Sequence, residues 1–465
     1  MITLENRFFP VRSAICFIIE GGIIILSVLS GFLFIKAIGR AGEITLVDVL
    51  IRGVVVAVFC QSCMYMLDLY DLRQSPSWGE LFFSLVFAVG IVCIGIGMIS
   101  YIHPRFGIEG EMYYITILFV ACLLLVWRAS FAYYLENISP RETVLIVGTG
   151  QAARQMGNEI LGSKQLGLKL VGFIGETDGE NGTEAIDGSM VLGGYNVIPD
   201  IVREKKVKKV VVAIDERRGG SPVGELLDIK VRGCEVVEWQ PFFERLSGRI
   251  PIDNLSPSFF IFNEGFRKSR TLLIPRRIVS QVLSFFAIIL LSPVFLIVGI
   301  LIKLDSPGPV IYSQERVGQY GKVFRIYKFR SMRKDAEKDG APRWASKDDA
   351  RITRFGRIIR GLRFDELPQL FNVLIGDIDL VGPRPERPEF VEKLQKIIPY
   401  YSLRHTLKPG LTGWAQVMFM YSGSIEESKE KLQYDLFYIK NMSLKLDLLI
   451  MFRTFKIVLL GRGAR

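Results

Sequence analysis

Long apolar stretches separated by short polar segments dominate the first part of the chain. Four of them, at 14–38, 44–67, 81–102 and 112–135, are each long enough to cross about 30 Å of hydrocarbon as an α-helix. The first is too long for a removable signal peptide and lacks a small-residue cleavage pattern. The pattern therefore predicts a bundle of four transmembrane helices within residues 1–140.

Basic residues near the ends of these stretches predict the orientation of the bundle. Arg7 and Arg12 precede the first stretch, and Arg128 and Arg141 lie around the end of the fourth. Because Lys and Arg are enriched on the cytoplasmic side of membrane proteins, we expect both ends of the bundle to face the cytoplasm.

The pattern changes at residue 141, where short apolar runs alternate with helix-like segments. In RETVLIVGTGQAARQMGNEIL, Gly148, Gly150 and Ala153 fit G-x-G-x-x-A, the turn that binds a pyrophosphate in dinucleotide-binding proteins. Further strands are predicted at 168–175 and 207–215. Strand–helix alternation predicts a Rossmann-like, nucleotide-binding-type α/β domain over residues 141–265.

The glycine turn alone does not assign a ligand to this domain. No Tyr-x-x-x-Lys pair follows it, as the proton transfer of a short-chain dehydratase or epimerase would need. We therefore do not expect NAD to serve as a cofactor, and both ligand sensing and a purely structural role remain open.

A further apolar segment, at 275–303, is interrupted near its middle by Ser292 and Pro293. Proline removes a backbone donor and clashes with the preceding turn, so we expect a sharp bend there. Arg276 and Arg277 flank one end and a lysine flanks the other, which favours two ends on the same cytoplasmic face. We therefore predict a re-entrant membrane hairpin, and a kinked transmembrane helix is the alternative.

The positive charge of the protein is concentrated after this segment begins. The net charge is +11, and residues 266–465 contain 35 Lys and Arg against 19 Asp and Glu. Such a field favours phosphate groups of nucleic acid, anionic lipid or nucleotide sugars. No nucleic-acid-binding motif accompanies the charge, so we do not expect nucleic acid as a partner. The chain has only two histidines, which leaves the main chemistry to carboxylates.

Two adjacent carboxylates, Asp365 and Glu366, lie in the run FDELPQLFNVLIGDIDLVGPRP. Asp365 is at the start of a helix-like pattern, where an N-cap is the structural interpretation. An Asp carboxylate can also attack phosphorus to form an acyl phosphate, and its neighbour can hold a divalent cation. Taken alone, such a pair is typical of solvated surface.

Arginines surround this pair in the sequence. Between 351 and 360 they recur every three residues, which predicts one helical face leading to Asp365. A face resting on anionic lipid is the alternative for about half of them. The candidate phosphate-binding residues are Arg360, Arg384 between two prolines, and Lys328 and Arg330, which alternate as on one face of an extended segment.

Four motifs in order, KFRSM, DELPQLFNVL-x-GD, LVGPRP and KPGLTGWAQV, resemble those of the bacterial sugar transferases, which are polyprenyl-phosphate phosphoglycosyltransferases. The resemblance covers 275–465. With four preceding spans and a Rossmann-like domain, the chain resembles the large polytopic members that initiate exopolysaccharide or O-antigen synthesis. It implies a mainly α monotopic catalytic domain over 304–465, in the bacterial inner membrane and facing the cytoplasm.

The resemblance also implies roles for individual residues. Asp365 matches the nucleophile, Glu366 the residue tied to Mg²⁺, and Arg360 and Arg384 the arginines of the site. The Ser-Pro break of the re-entrant helix matches Ser292 and Pro293. The implied reaction transfers a sugar-1-phosphate from a UDP-sugar to undecaprenyl phosphate through a phospho-aspartate, with release of UMP. The resemblance also allows a homodimer.

Two departures from the family pattern leave the sugar unassigned. Arg363 and Phe364 replace the usual Ser-Leu before the carboxylates, and residues 418–420 replace the usual Asn-Gly-Arg. Two other functions stay open at this point. One is a non-catalytic scaffold or sensor of polysaccharide assembly, and the other is an NAD-dependent nucleotide-sugar enzyme that uses the middle domain.

Overall fold

A computed structural model of the chain describes most of its length. The described residues are 11–39, 45–70, 78–102, 111–134, 137, 141–162, 167–175, 185–186, 189–214, 222–253, 255, 257–333, 349, 351–419 and 424–459. Arg7, which contributed to the predicted orientation, lies outside them. The chain divides into two compact units, Met1–Leu246 and Ser247–Arg465, which are described separately.

The apolar stretches at the start of the chain form helices, as predicted. These helices are α1 (Val11–Ala37), α2 (Leu46–Met66), α3 (Trp78–Ile102) and α4 (Glu111–Tyr133). By length and composition α1, α2 and α4 could each cross a membrane, while the apolar part described for α3 is shorter. Their inward faces pack into one apolar core around side chains such as Ile24, Cys60 and Leu124.

A buried ion pair lies inside this bundle. Glu20 on α1 and Arg128 on α4 are 0% and 5% exposed, and the Arg128 Nη2 donates to Glu20 Oε2 at 3.0 Å. The sequence analysis overlooked Glu20 and counted Arg128 as a charge near the end of its helix. Because Arg128 is buried and paired, it does not supply a loop charge, and the predicted orientation then depends on fewer residues.

The middle region is an α/β domain, as predicted. Its parallel sheet has the order β2–β1–β5–β6, with β1 central and helices packed around it. The elements are β1 (Glu142–Val147), α5 (Gln151–Gly162), β2 (Leu168–Ile174), β3 (Ala185–Ile186), β4 (Ser189–Met190), α6 (Ile198–Glu204), β5 (Lys209–Val212), α7 (Val223–Val231), β6 (Glu235–Glu238) and α8 (Trp239–Ser247).

The glycine turn connects β1 to α5 at the point where the strand order reverses. Gly148 has φ +131°, and a Cβ there would lie 2.1 Å from the carbonyl oxygen of Ala213. Gly150 immediately precedes α5, and Ala153 is fully buried within it. Close packing at the sheet therefore accounts for Gly148 and Ala153, and nucleotide binding at this turn stays a prediction.

The end of the middle domain requires a correction. We assigned residues up to 265 to it, but the division falls after Leu246. Trp414 Nε1 donates to the carbonyl of Gly248 at 2.9 Å, and the amide of Ile250 donates to the carbonyl of Gln433 at 3.1 Å. The segment from residue 247 is therefore part of the C-terminal unit.

The interrupted apolar segment forms one helix, α10 (Arg270–Asp305), after the short α9 (Pro257–Phe262). The helix continues through Pro293, and Ser292 Oγ donates to the carbonyl of Ile289 at 2.8 Å. The segment is therefore helical on both sides of the expected bend, and by length and composition α10 is also long enough to cross a membrane. The re-entrant hairpin and its alternative, a kinked transmembrane helix, both stay predictions.

The rest of the C-terminal unit combines short helices with two small sheets. An antiparallel hairpin of β7 and β8, which the sequence analysis did not predict, aligns Ile311 with Phe329. The elements are β7 (Ile311–Val317), β8 (Val323–Phe329), α11 (Arg354–Gly361), α12 (Gln369–Ile375), β9 (Asp379–Val381), α13 (Pro388–Ile397), β10 (Gly410–Thr412), α14 (Trp414–Met418), α15 (Ile425–Asn441) and α16 (Leu444–Leu459).

The second half of α10 packs directly under the turn that contains the paired carboxylates. Val298 and Ile302 on α10 are buried together with Phe329 at the end of β8. Phe364 and Leu367, on either side of the carboxylates, pack against this cluster. An apolar core therefore supports the turn from beneath and connects it to the helix.

Candidate active site

The paired carboxylates lie in a single 3-10 turn, Phe364–Glu366. Arg363 precedes it in the left-handed region, with φ 56° and ψ 20°, a conformation that costs energy for a residue with a Cβ. The α-helix begins only at Gln369. The expected N-cap role of Asp365 is therefore wrong, because the tight turn separates this residue from the α-helix.

Two cations converge on Glu366. Lys328 Nζ lies 2.9 Å from Glu366 Oε1, and Arg384 Nη2 lies 2.5 Å from the same oxygen. Burial opposes ionisation of this carboxylate, but Arg384 and Lys328 outweigh burial and hold the pKa of Glu366 well below its usual value. Glu366 therefore stays ionised and fixes both cations beside the turn.

Asp365 has a different electrostatic environment from its neighbour. Burial, followed by the charge of Glu366, raises the pKa of Asp365, while Lys328, Arg360 and Arg384 oppose this effect. Burial and its neighbour therefore oppose ionisation of Asp365, while the cations favour the charged form. The turn thus separates the two acids into one that holds two cations and one that is less readily ionised, and a role of Asp365 as nucleophile stays a prediction.

The arginine run is divided by the structure. Helix α11 begins after Thr353, whose side chain accepts from the amide of Gly356, so Arg351 lies outside the helix. Arg354 and Arg357 are exposed, whereas Arg360 is half-buried and acts on the carboxyl group of Asp365. Of this run, Arg360 is the arginine whose charge lowers the pKa of Asp365.

Arg330 is placed elsewhere. Its guanidinium is buried and donates to the carbonyls of Ser306 at 2.6 Å and Pro307 at 3.0 Å, at the end of α10. It satisfies carbonyl groups that a helix end leaves without intrahelical partners. Alternation predicted Lys328 and Arg330 on one face, but β8 ends at Phe329 and the period of two ends with it.

The carboxylates fit a magnesium ion only together with a phosphate. Among the described residues, no group of three or more His, Cys, Asp or Glu could hold a metal ion. Protein sites for Mg²⁺ often use one or two carboxylates and take their other ligands from substrate phosphates and water. Glu366, with Asp365 beside it, can supply that contribution, and Mg²⁺ stays a prediction.

One buried arginine near the site was missed by sequence reasoning. Arg404 donates through Nη2 to the backbone carbonyl of Arg384 at 3.0 Å and lies 2.9 Å from Asp435 Oδ2. These partners are far from it in the sequence, so local spacing gives no signal. The one hint was Asp435 itself, an acid within an otherwise apolar stretch of α15.

Two family descriptions match parts of the chain. A bacterial sugar transferase family matches residues 271–461, and a family described as a CoA-binding domain matches residues 65–221. The first match contains Lys328, the paired carboxylates and Arg384.

Individual relatives carry different sugars in their names. The undecaprenyl-phosphate glucose phosphotransferase of Komagataeibacter xylinus is 30% identical over 414 residues, 86% of this chain and 75% of that protein. The undecaprenyl-phosphate galactose phosphotransferase of Salmonella typhimurium is 32% identical over 353 residues, 70% of this chain and 69% of that protein.

A higher identity over a shorter region is found with the UDP-N-acetylgalactosamine-undecaprenyl-phosphate N-acetylgalactosaminephosphotransferase of Aeromonas hydrophila. It is 46% identical over 222 residues, 48% of this chain. The chain spans about half, 52%, of the length of that relative.

Proposed function

Because the chain belongs to the bacterial sugar transferase family, we propose that it transfers a sugar-1-phosphate from a UDP-sugar to undecaprenyl phosphate, as the first membrane step of exopolysaccharide synthesis. The relatives share the lipid acceptor in their names and differ in the sugar, so the identity of the sugar is not part of the proposal.

The observation that carries this proposal is the composition of the site. Two carboxylates lie in one turn, Lys328 and Arg384 contact Glu366, and the charge of Arg360 lowers the pKa of Asp365. Three positive charges therefore act on two carboxylates, which favours binding of a diphosphate. Positioned cations of this kind stabilise the charge that develops in phosphoryl transfer.

The chemistry proceeds in two displacements. An oxygen of the Asp365 carboxylate attacks the β-phosphorus of the UDP-sugar, and the bond from this phosphorus to the bridging oxygen breaks. UMP leaves with the electron pair, and the sugar phosphate stays on Asp365. A phosphate oxygen of undecaprenyl phosphate then attacks the same phosphorus and releases the aspartate, which splits one difficult displacement into two.

The other residues hold the diphosphate and stabilise its charge. Arg384 can bind two phosphate oxygens at once, and Lys328 supplies a second cation from the adjacent strand. Glu366 keeps both in place and would hold Mg²⁺, which supplies Lewis-acid neutralisation of the diphosphate when bound.

The membrane location of this reaction follows from the acceptor. The apolar helices of the chain support a membrane protein, and a UDP-sugar is a cytoplasmic donor. We therefore place the protein in the inner membrane with its C-terminal unit on the cytoplasmic face. The packing of α10 beneath the carboxylate turn would keep the site close to a lipid-linked phosphate.

The test is UMP release by the purified protein in detergent, with Mg²⁺, undecaprenyl phosphate and a panel of UDP-sugars. Asp365→Asn should abolish turnover and the labelled phospho-enzyme, and the matched control Asp253→Asn, at a surface pair with Lys429, should retain both. Full activity of Asp365→Asn would refute the nucleophile. Silence of the folded wild type with every donor would instead favour a scaffold or sensor.

A further inference from the structure

The segment that carries Arg384 is held by its backbone carbonyls. Each carbonyl from residue 383 to residue 386 accepts a hydrogen bond from a different donor. The donors are the amide of Gly410 to Pro383 at 3.0 Å, Arg404 Nη2 to Arg384 at 3.0 Å, Arg316 Nη1 to Pro385 at 3.3 Å and the amide of Val317 to Glu386 at 2.9 Å.

Two of the four donors are charged, Arg316 and Arg404, and Arg404 is the more deeply buried of the two. Its side chain is 6% exposed, and that of Asp435, its counter-ion at 2.9 Å, is 2% exposed. Its Nη1 donates to the hydroxyl of Tyr401 at 2.6 Å. Burying a guanidinium costs free energy unless its N–H groups find partners. Here the planar guanidinium of Arg404 contacts three partners.

Of the three partners of Arg404, the one that belongs to the candidate site is Arg384. The carbonyl that Arg404 contacts belongs to Arg384, whose side chain reaches Glu366 and is 32% exposed. A partly exposed side chain keeps its direction only if its backbone is fixed, and a small misplacement of a binding group weakens recognition strongly. The contact at this carbonyl is therefore the one, among the four described, that fixes the peptide of Arg384 itself.

We propose that Arg404, with Asp435 as its counter-ion, is a positioning residue that holds Arg384 in place for the diphosphate of the nucleotide donor. The inference rests on the proposed function. Burial raises the pKa of Asp435 to about 6, and Arg404 and then Lys431 oppose the rise, so the guanidinium favours the charged form of its counter-ion.

The test is a double-mutant cycle on affinity for UDP with Mg²⁺, measured by calorimetry in detergent. Arg404→Lys keeps the charge but loses the planar fork, and it should weaken UDP binding about 10- to 100-fold. In an Arg384→Ala background the same change should weaken binding less than about twofold, because the contact acts only through Arg384. Equal effects in both backgrounds would overturn the inference.

The control is Arg249→Lys. Arg249 is paired at 2.6 Å with Glu430, which lies on α15, the helix that also contains Asp435, and its replacement should leave UDP affinity unchanged. If Arg404→Lys does not fold, Asp435→Asn replaces it in the cycle, with the same expected loss and the same overturning result. UMP release is measured in parallel. If the cycle shows coupling between Arg404 and Arg384 but the wild type releases no UMP, only the proposed reaction is refuted. If the wild type releases UMP but the cycle shows no coupling, only the positioning role is refuted.

Discussion

Two clusters of charged side chains in the C-terminal unit use the same residue types in opposite ways. Around Arg276, one cation serves two carboxylates: it lies 2.9 Å from Asp379 and 2.5 Å from Asp447, and also donates to the hydroxyl of Tyr438 at 2.6 Å. The three ionic side chains are between 3% and 9% exposed. Every direction of the guanidinium is used within the protein.

Around Glu366, by contrast, two cations serve one carboxylate oxygen and remain accessible. Lys328 is 21% exposed and Arg384 is 32% exposed. A charged residue type therefore does not by itself mark a site. An excess of cations that solvent can reach is suited to an anion, whereas a closed cluster whose charges are all paired inside the protein is suited to holding elements together.

The largest expected effect comes from breaking the closed cluster around Arg276. Arg276→Met leaves two buried carboxylates without their shared cation, which should cost about 3–5 kcal/mol of stability. The measurement is the melting temperature of the purified protein in detergent. The neighbouring Arg277 is exposed, so Arg277→Met is the matched control and should melt near the wild type. Equal melting temperatures for both variants would show that the cluster does not support the fold.

The second largest effect is expected in the accessible cluster around Glu366. Glu366→Gln removes the charge that fixes Lys328 and Arg384, and UMP release should fall about 100- to 1000-fold. The melting temperature should change little, because the two released cations can reach water. Glu392→Gln, at a surface pair with Lys396, is the control. If Glu366→Gln melted at as low a temperature as Arg276→Met but kept its activity, Glu366 would support the fold and not the reaction.

The smallest effect concerns one of the two cations. Lys328→Met leaves Arg384 on Glu366, so kcat/KM for the UDP-sugar should fall about 10- to 100-fold, the value of one hydrogen bond to a charged group. Lys322→Met, an exposed lysine near the start of the same strand, should have no effect. Unchanged kinetics of Lys328→Met would mean that this cation does not contact the substrate.

The motifs predicted which residues lie close together better than the spacing rules did. Asp365, Glu366, Lys328 and Arg384 come together in the structure, and Arg360 acts on the first of them. The predicted alternation does not hold at Arg330, because strand β8 ends one residue earlier, at Phe329. A rule with a period of two or three residues holds only while its element continues.

The main error of the sequence-based predictions was to treat buried charged residues as surface charges. Arg276 and Arg128 were counted as flanking charges of apolar segments, but both are buried in ion pairs. Glu20, the partner of Arg128, lies 108 positions away, and Asp447 lies 171 positions from Arg276. Pairing over such distances leaves no local pattern.

The apolar helices, the α/β domain and the carboxylate pair could be predicted because they depend on residues that are neighbours along the chain. The fold alone shows which cations reach Glu366, which are enclosed in buried clusters, and that Arg404 contacts the backbone of Arg384. Those outcomes depend on burial, since a charge removed from water must find its partner wherever the fold brings one.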